Sequence, residues 1–89
     1  MPERQVEVVN KLGLHARAAA KFVKLASEFE SDVGLARDGR KVNGKSIMGV
    51  MMLAAGKGSR VTLSAAGPDE QQALDRLQSL FEERFGEEA

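Results

Sequence analysis

The chain has 89 residues, 13 of them Lys or Arg and 13 Asp or Glu, for a formal net charge of zero, with one His and no Cys, Trp or Tyr. That length suits one small domain over residues 1–89 and leaves no room for separate catalytic and regulatory modules. The absence of thiols excludes a disulfide staple, a zinc knuckle and a thiolate nucleophile, while balanced charge and few aromatics argue against a nucleic-acid coat or a base-stacking platform.

In chain order, residues 1–9 alternate charged and apolar side chains without a continuous apolar segment, so no secretory leader is expected. Gln5-Val6-Glu7-Val8 predicts the first strand, one side of it on a core. From Ala16 to Phe29 the period becomes helical: Ala19, Phe22, Val23, Ala26 and Phe29 share one face, with Lys21, Lys24 and Glu28 on another. Residues 32–37 and 40–43 flank Asp38-Gly39, a dipeptide suited to a tight hairpin turn. Ser46 is a good N-cap for a short helix that stops at Gly56-Lys57-Gly58. Its apolar run, residues 47–55, is about half the ~18 residues that suggest a membrane span, so no insertion is expected. Residues 60–65 alternate again as a strand. Asp69 and Gln72 have capping-box spacing, and Ala73, Leu74, Leu77, Leu80, Phe81 and Phe85 continue as a long helix. This order predicts an α+β fold, an antiparallel or mixed sheet of four strands covered on one face by three helices. Gln5, Glu7, Arg60, Thr62 and Ser64 are expected on the watered face.

His15 is the sole imidazole, which excludes a multi-histidine metal site; no metal and no cofactor is expected. It follows Gly13 and opens the alanine-rich helix, at or beside the N-cap. Free amide hydrogens and the positive end of the helix dipole favour anions there, and they favour a neutral ring with a lone pair available for attack on phosphorus. Arg17 brings a guanidinium that forks onto phosphate oxygens. A nucleophile, an anion-binding helix end and an arginine suffice for transient histidine phosphorylation. A nucleotide-binding loop and a second acid or base are missing, so the chain is not expected to make or spend its own phosphoryl group. The bland alternative is an ordinary capping histidine beside a solvated arginine.

Asn10-Lys11-Leu12-Gly13-Leu14-His15-Ala16-Arg17, with Gly44-Lys45-Ser46-Ile47-Met48-Gly49-Val50-Met51 and Gly67-Pro68-Asp69-Glu70, closely resembles the HPr phosphocarrier family of the bacterial phosphoenolpyruvate-dependent sugar phosphotransferase system. The resemblance implies a single HPr-like domain over 1–89, with a four-stranded antiparallel sheet and three helices on one face. It implies that His15 accepts a phosphoryl group from phosphorylated enzyme I, on Nδ1 in the family, and passes it to a sugar-specific IIA component. The chain would be a cytoplasmic, monomeric carrier and not an independent catalyst. Arg17 would steady the phosphoryl oxygens, helped by the amides of Ala16 and Arg17. Ser46 matches a serine phosphorylated by an HPr kinase/phosphorylase. Ile47, Met48 and Met51 would form an exposed docking patch, with Lys24, Lys45 and Arg17 guiding acidic partners. Ala18 stands where the family commonly has Pro, a small geometric change at the first helical turn.

Three other readings compete: a nitrogen-branch or purely regulatory relative that uses the same His15, a non-covalent α+β adaptor, and an enzyme with His15 as base. The last lacks a partnering acid, metal cluster or cofactor loop.

Overall fold

In the computed structural model, which describes residues 2–87, the chain runs β1 (Glu3–Glu7), α1 (Ala16–Ala26), β2 (Asp32–Arg37), β3 (Arg40–Asn43), α2 (Ile47–Met52), β4 (Arg60–Ala66) and α3 (Glu70–Glu82), ending in a 3-10 turn, Arg84–Gly86. Met1, Glu88 and Ala89 of the expected domain lie outside the described residues. The four strands form one sheet in the order β1-β4-β2-β3, each neighbouring pair antiparallel.

Period-two patterning sets the register. Val6 lies opposite Val61, and Leu35 opposite Leu63, so one face of the sheet is a row of buried aliphatic side chains. Against it pack Phe22, Ala19 and Ala26 of α1 and Ala73, Leu74, Leu77 and Phe81 of α3. Phe22 meets Phe81 edge to face at 5.8 Å between centroids, and Phe81 meets Phe85 at 5.0 Å, so a chain of three rings runs from α1 to the final turn. Such pairs add about 1 kcal/mol each beyond the area they bury. Asp38 and Gly39 are both left-handed, φ 51° and 83°, the geometry a two-residue hairpin turn requires.

Several local expectations need correction. Strand β1 runs Glu3–Glu7, not Gln5 to Val8, and helix α2 ends at Met52, short of the expected stop at Gly56, the chain turning left-handed at Ala54 with φ 52°. Helix α1 ends at Ala26, and Phe29, still buried, belongs to the following turn. Ser64, expected in water, is 3% exposed, because β4 is a central strand and the Ser64 hydroxyl and Lys41 stem close over Gly34. Asp69 does not cap its own helix: its carboxylate accepts from the Glu30 and Ser31 amides, each at 3.0 Å, and from the Ser31 hydroxyl, which ties the start of α3 to the loop between α1 and β2. Helix α3 stops at Glu82 rather than at Phe85, because Arg84, Phe85 and Gly86 all turn left-handed, with φ 57°, 55° and 76°. Phe85 keeps its place in the core from that turn, and its carbonyl accepts from Lys21 Nζ at 2.7 Å.

Candidate functional site

The site is built where the segment between β1 and α1 folds back over the loop after α2. The Leu14 amide donates to the Ala55 carbonyl at 2.9 Å, and Gly13, with φ 69°, passes so close that a Cβ there would sit 2.5 Å from that same oxygen. This contact fixes the residue before His15. His15 is then the N-cap of α1, with extended backbone and a partly exposed ring.

Both ring nitrogens are occupied, by partners of opposite kind. Nδ1 accepts from the Arg17 amide at 3.2 Å, so it faces the helix start and carries no proton. Nε2 lies 2.5 Å from the Glu87 carboxylate, which has only acceptor oxygens and therefore takes the ring's proton-bearing side. The other Glu87 oxygen accepts from Asn10 Nδ2 at 3.1 Å, and the same amide nitrogen donates to the Gly13 carbonyl at 2.8 Å. Asn10 is fully buried, and its two oxygen partners fix which way its amide points. Burial of the Glu87 carboxyl opposes ionisation, but hydrogen bonds from Asn10 and His15, the attraction of His15 whenever its ring is protonated and the charge of Lys21 outweigh it, holding this group below its ordinary 4.5.

Arg17, the second residue of α1, is exposed, and its guanidinium makes no hydrogen bond among the described residues. Ala16 beside it is exposed too, whereas Ala18 is fully buried against the core. The structure thus brings His15, Ala16 and Arg17 together. It separates them from Lys24, in the last turn of α1, about 10 Å along the axis from Arg17 at the usual helical rise. Lys45 is drawn to that far end as well, its ammonium donating to the Phe29 carbonyl at 2.8 Å.

Ser46 caps α2, its hydroxyl accepting from the Gly49 amide at 3.1 Å. Of the helix it opens, Val50 is buried, while Ile47, Met48, Met51 and Met52 are exposed, Met48 at 73%. Leu12, on the segment that carries His15, is exposed at 68% and was not anticipated as part of an apolar surface. Nor were Asn10 and Glu87 anticipated as partners of the ring. Glu87 is 72 residues from His15 in sequence, and no local pattern marks it.

The family model described as the PTS HPr component phosphorylation site matches residues 2–83. The chain belongs to the HPr family. It is 60% identical over 87 residues to the phosphocarrier protein HPr of Cupriavidus necator, covering 98% of each chain. It is 54% identical over 83 residues to the HPr-like protein Crh of Bacillus subtilis, covering 93% of this chain and 98% of that one. Among solved structures, HPr-C-His from Thermoanaerobacter tengcongensis superposes with a TM-score of 0.96 at 50% identity, covering both chains completely. HPr proteins are phosphocarriers of the phosphotransferase system rather than independent catalysts, and the antiparallel sheet with three helices is the fold of the solved HPr structures. No helix among the described residues is long and apolar enough to cross a membrane.

Proposed function

We propose that this chain carries a phosphoryl group on His15 Nδ1, accepting it from phosphorylated enzyme I and delivering it to a sugar-specific IIA component in the cytoplasm. The observation that carries the reading is the partly exposed His15 ring at the N-cap of α1, its unprotonated Nδ1 turned to the Arg17 amide at the helix start, two residues from an exposed arginine whose guanidinium makes no hydrogen bond among the described residues. An arriving phosphoryl group would draw on the Ala16 and Arg17 amides at the helix start and on the Arg17 side chain, donors suited to the negative charge that accumulates there. Ile47, Met48 and Met51 form the docking surface, since flexible thioethers adapt to successive partners. Lys24 and Lys45 add positive charge at the far end of α1, and the carrier works as a monomer.

Ser46 is the regulatory position for an HPr kinase/phosphorylase. A phosphate on its oxygen would keep accepting from the amides that open α2, so the helix persists while the docking surface turns acidic. Mass spectrometry after incubation with such a kinase and ATP is expected to find phosphate on Ser46; its absence removes this part of the reading.

Incubation with phosphoenolpyruvate and purified enzyme I tests the carrier role. Wild type is expected to gain one acid-labile phosphate and His15→Ala none. The 54% identity to an HPr-like protein Crh supports a second reading, a regulatory relative. That reading gains if Ser46 is labelled by the kinase while His15 takes no phosphate from any phosphohistidine donor.

A further inference from the structure

The turn after α3 does more than end a helix. Three consecutive left-handed residues, 84–86, reverse the chain so that Phe85 plugs into the ring stack, Lys21 ties the Phe85 carbonyl, and the next side chain, Glu87, arrives at His15 Nε2. Left-handed backbone at non-glycine residues is costly and persists where surrounding contacts enforce it. Here the contacts deliver one carboxylate to one ring nitrogen. Asn10 completes the arrangement by holding the second carboxylate oxygen from a buried position, its own Oδ1 left without a hydrogen-bond partner among the described residues. Glu87 is itself well covered, with a side chain 16% exposed.

We propose that Glu87 is the positioning residue of the phosphoryl acceptor, keeping the ring proton on Nε2 so that the lone pair stays on Nδ1 at the start of α1. The inference rests on the carrier reading above and deepens it. A neutral imidazole has two tautomers, and one of them places its proton on the atom that must attack. A carboxylate hydrogen-bonded to the opposite nitrogen selects the other and fixes the plane of the ring. In the transfer step the Nδ1 electron pair forms the new N–P bond as the donor's P–N bond breaks, and the electron pair of that bond returns to the donor ring. A donor ring protonated on its other nitrogen leaves as neutral imidazole. The Nε2 proton stays on His15, whose ring becomes cationic, and the Glu87 carboxylate faces that new charge directly. Glu87 does not touch phosphorus.

Nitrogen chemical shifts of the His15 ring in the free protein test the assignment, together with the rate of phosphoryl acceptance from phosphorylated enzyme I. Wild type is expected to show the Nε2–H tautomer. Glu87→Gln offers one acceptor where two donors converge, so its amide turns toward either Asn10 or Nε2. The Nδ1–H form should then appear, and acceptance should fall about tenfold, the lower end of the loss seen when the outer partner of a metal-ligating histidine is removed. Glu87→Ala should lose the tautomer preference to a similar degree while the amide spectrum of the sheet and helices is retained. Wild-type ring shifts and acceptance within twofold in both variants would overturn the assignment. Because the shifts are read without a donor, failure of wild type to be labelled counts against the carrier reading alone, and the tautomer still decides the role of Glu87.

Discussion

At the scale of single residues, Gly13 and Arg17 do different work a few positions apart. Gly13 is left-handed and abuts the Ala55 carbonyl, so Gly13→Ala meets both a backbone penalty and a 2.5 Å clash. Left-handed strain alone costs about 1–2 kcal/mol, and relieving the clash must shift the residue preceding His15. Urea unfolding is expected to show a loss of about 2 kcal/mol or more, with slower phosphoryl acceptance; an unchanged midpoint would mean that the loop yields freely. Arg17→Ala is the converse case. Its amide, not its guanidinium, holds Nδ1, and the side chain is exposed. Stability should change by less than about 0.5 kcal/mol, while transfer to a IIA acceptor falls roughly a hundredfold, the usual cost of losing a donor aimed at developing charge. Quench-flow kinetics on a folded variant checks this.

At the scale of elements, the entry to α3 shows how far local pattern can be read. Asp69 and Gln72 have the spacing of a capping box, yet the Asp69 carboxylate serves the Glu30 and Ser31 amides from outside its own helix, and Glu70 instead accepts from the Gly67 amide. Sequence spacing reports local partners and is silent about a loop some 38 residues upstream that competes for the same oxygens. The Ser31 hydroxyl, then the Glu30 amide, hold the Asp69 carboxyl below its ordinary 3.8 against the opposing effect of burial. A carboxyl whose folded value is depressed stabilises the fold above its unfolded value, and that contribution disappears as pH falls through the folded value. Asp69→Asn should therefore lower the urea midpoint clearly near pH 6, and the gap to wild type should shrink as pH falls below 3.8. A gap of equal size at about pH 2 would show that the ionised form does not matter.

Elements with strong periodicity were legible because their partners are near in sequence or need none. The hairpin over 32–43 and the start of α1 at Ala16 match their predicted bounds, since a tight turn and an N-cap are decided within a few residues. The site was half legible for the same reason. His15, Ala16 and Arg17 are consecutive on one helix end, whereas Asn10 and Glu87 become partners of the ring only once the final turn has folded back. Lys24 and Lys45 are expected as charges that guide acidic partners to the docking patch, and their distance from His15, in the last turn of α1 and on the Phe29 carbonyl, is a matter of tertiary packing that charge patterning does not report.

At the scale of the whole molecule, net charge is zero, so encounter with partners depends on local surfaces rather than a global field. The apolar surface of α2 is the clearest such feature, and Met48 is its most exposed member. Met48→Asp should leave thermal unfolding unchanged and raise the KM for phosphorylated enzyme I about fivefold or more, with kcat little altered. A matching loss of kcat would assign Met48 to chemistry instead of docking.

The strand order also bears on biosynthesis. Both β1 and β2 pair with β4, residues Arg60–Ala66, so nearly three-quarters of the chain must leave the ribosome before either can find that partner. Until then the β2–β3 hairpin is the part of the sheet free to zip, and β1, made first, waits with its apolar side unprotected for a strand made late.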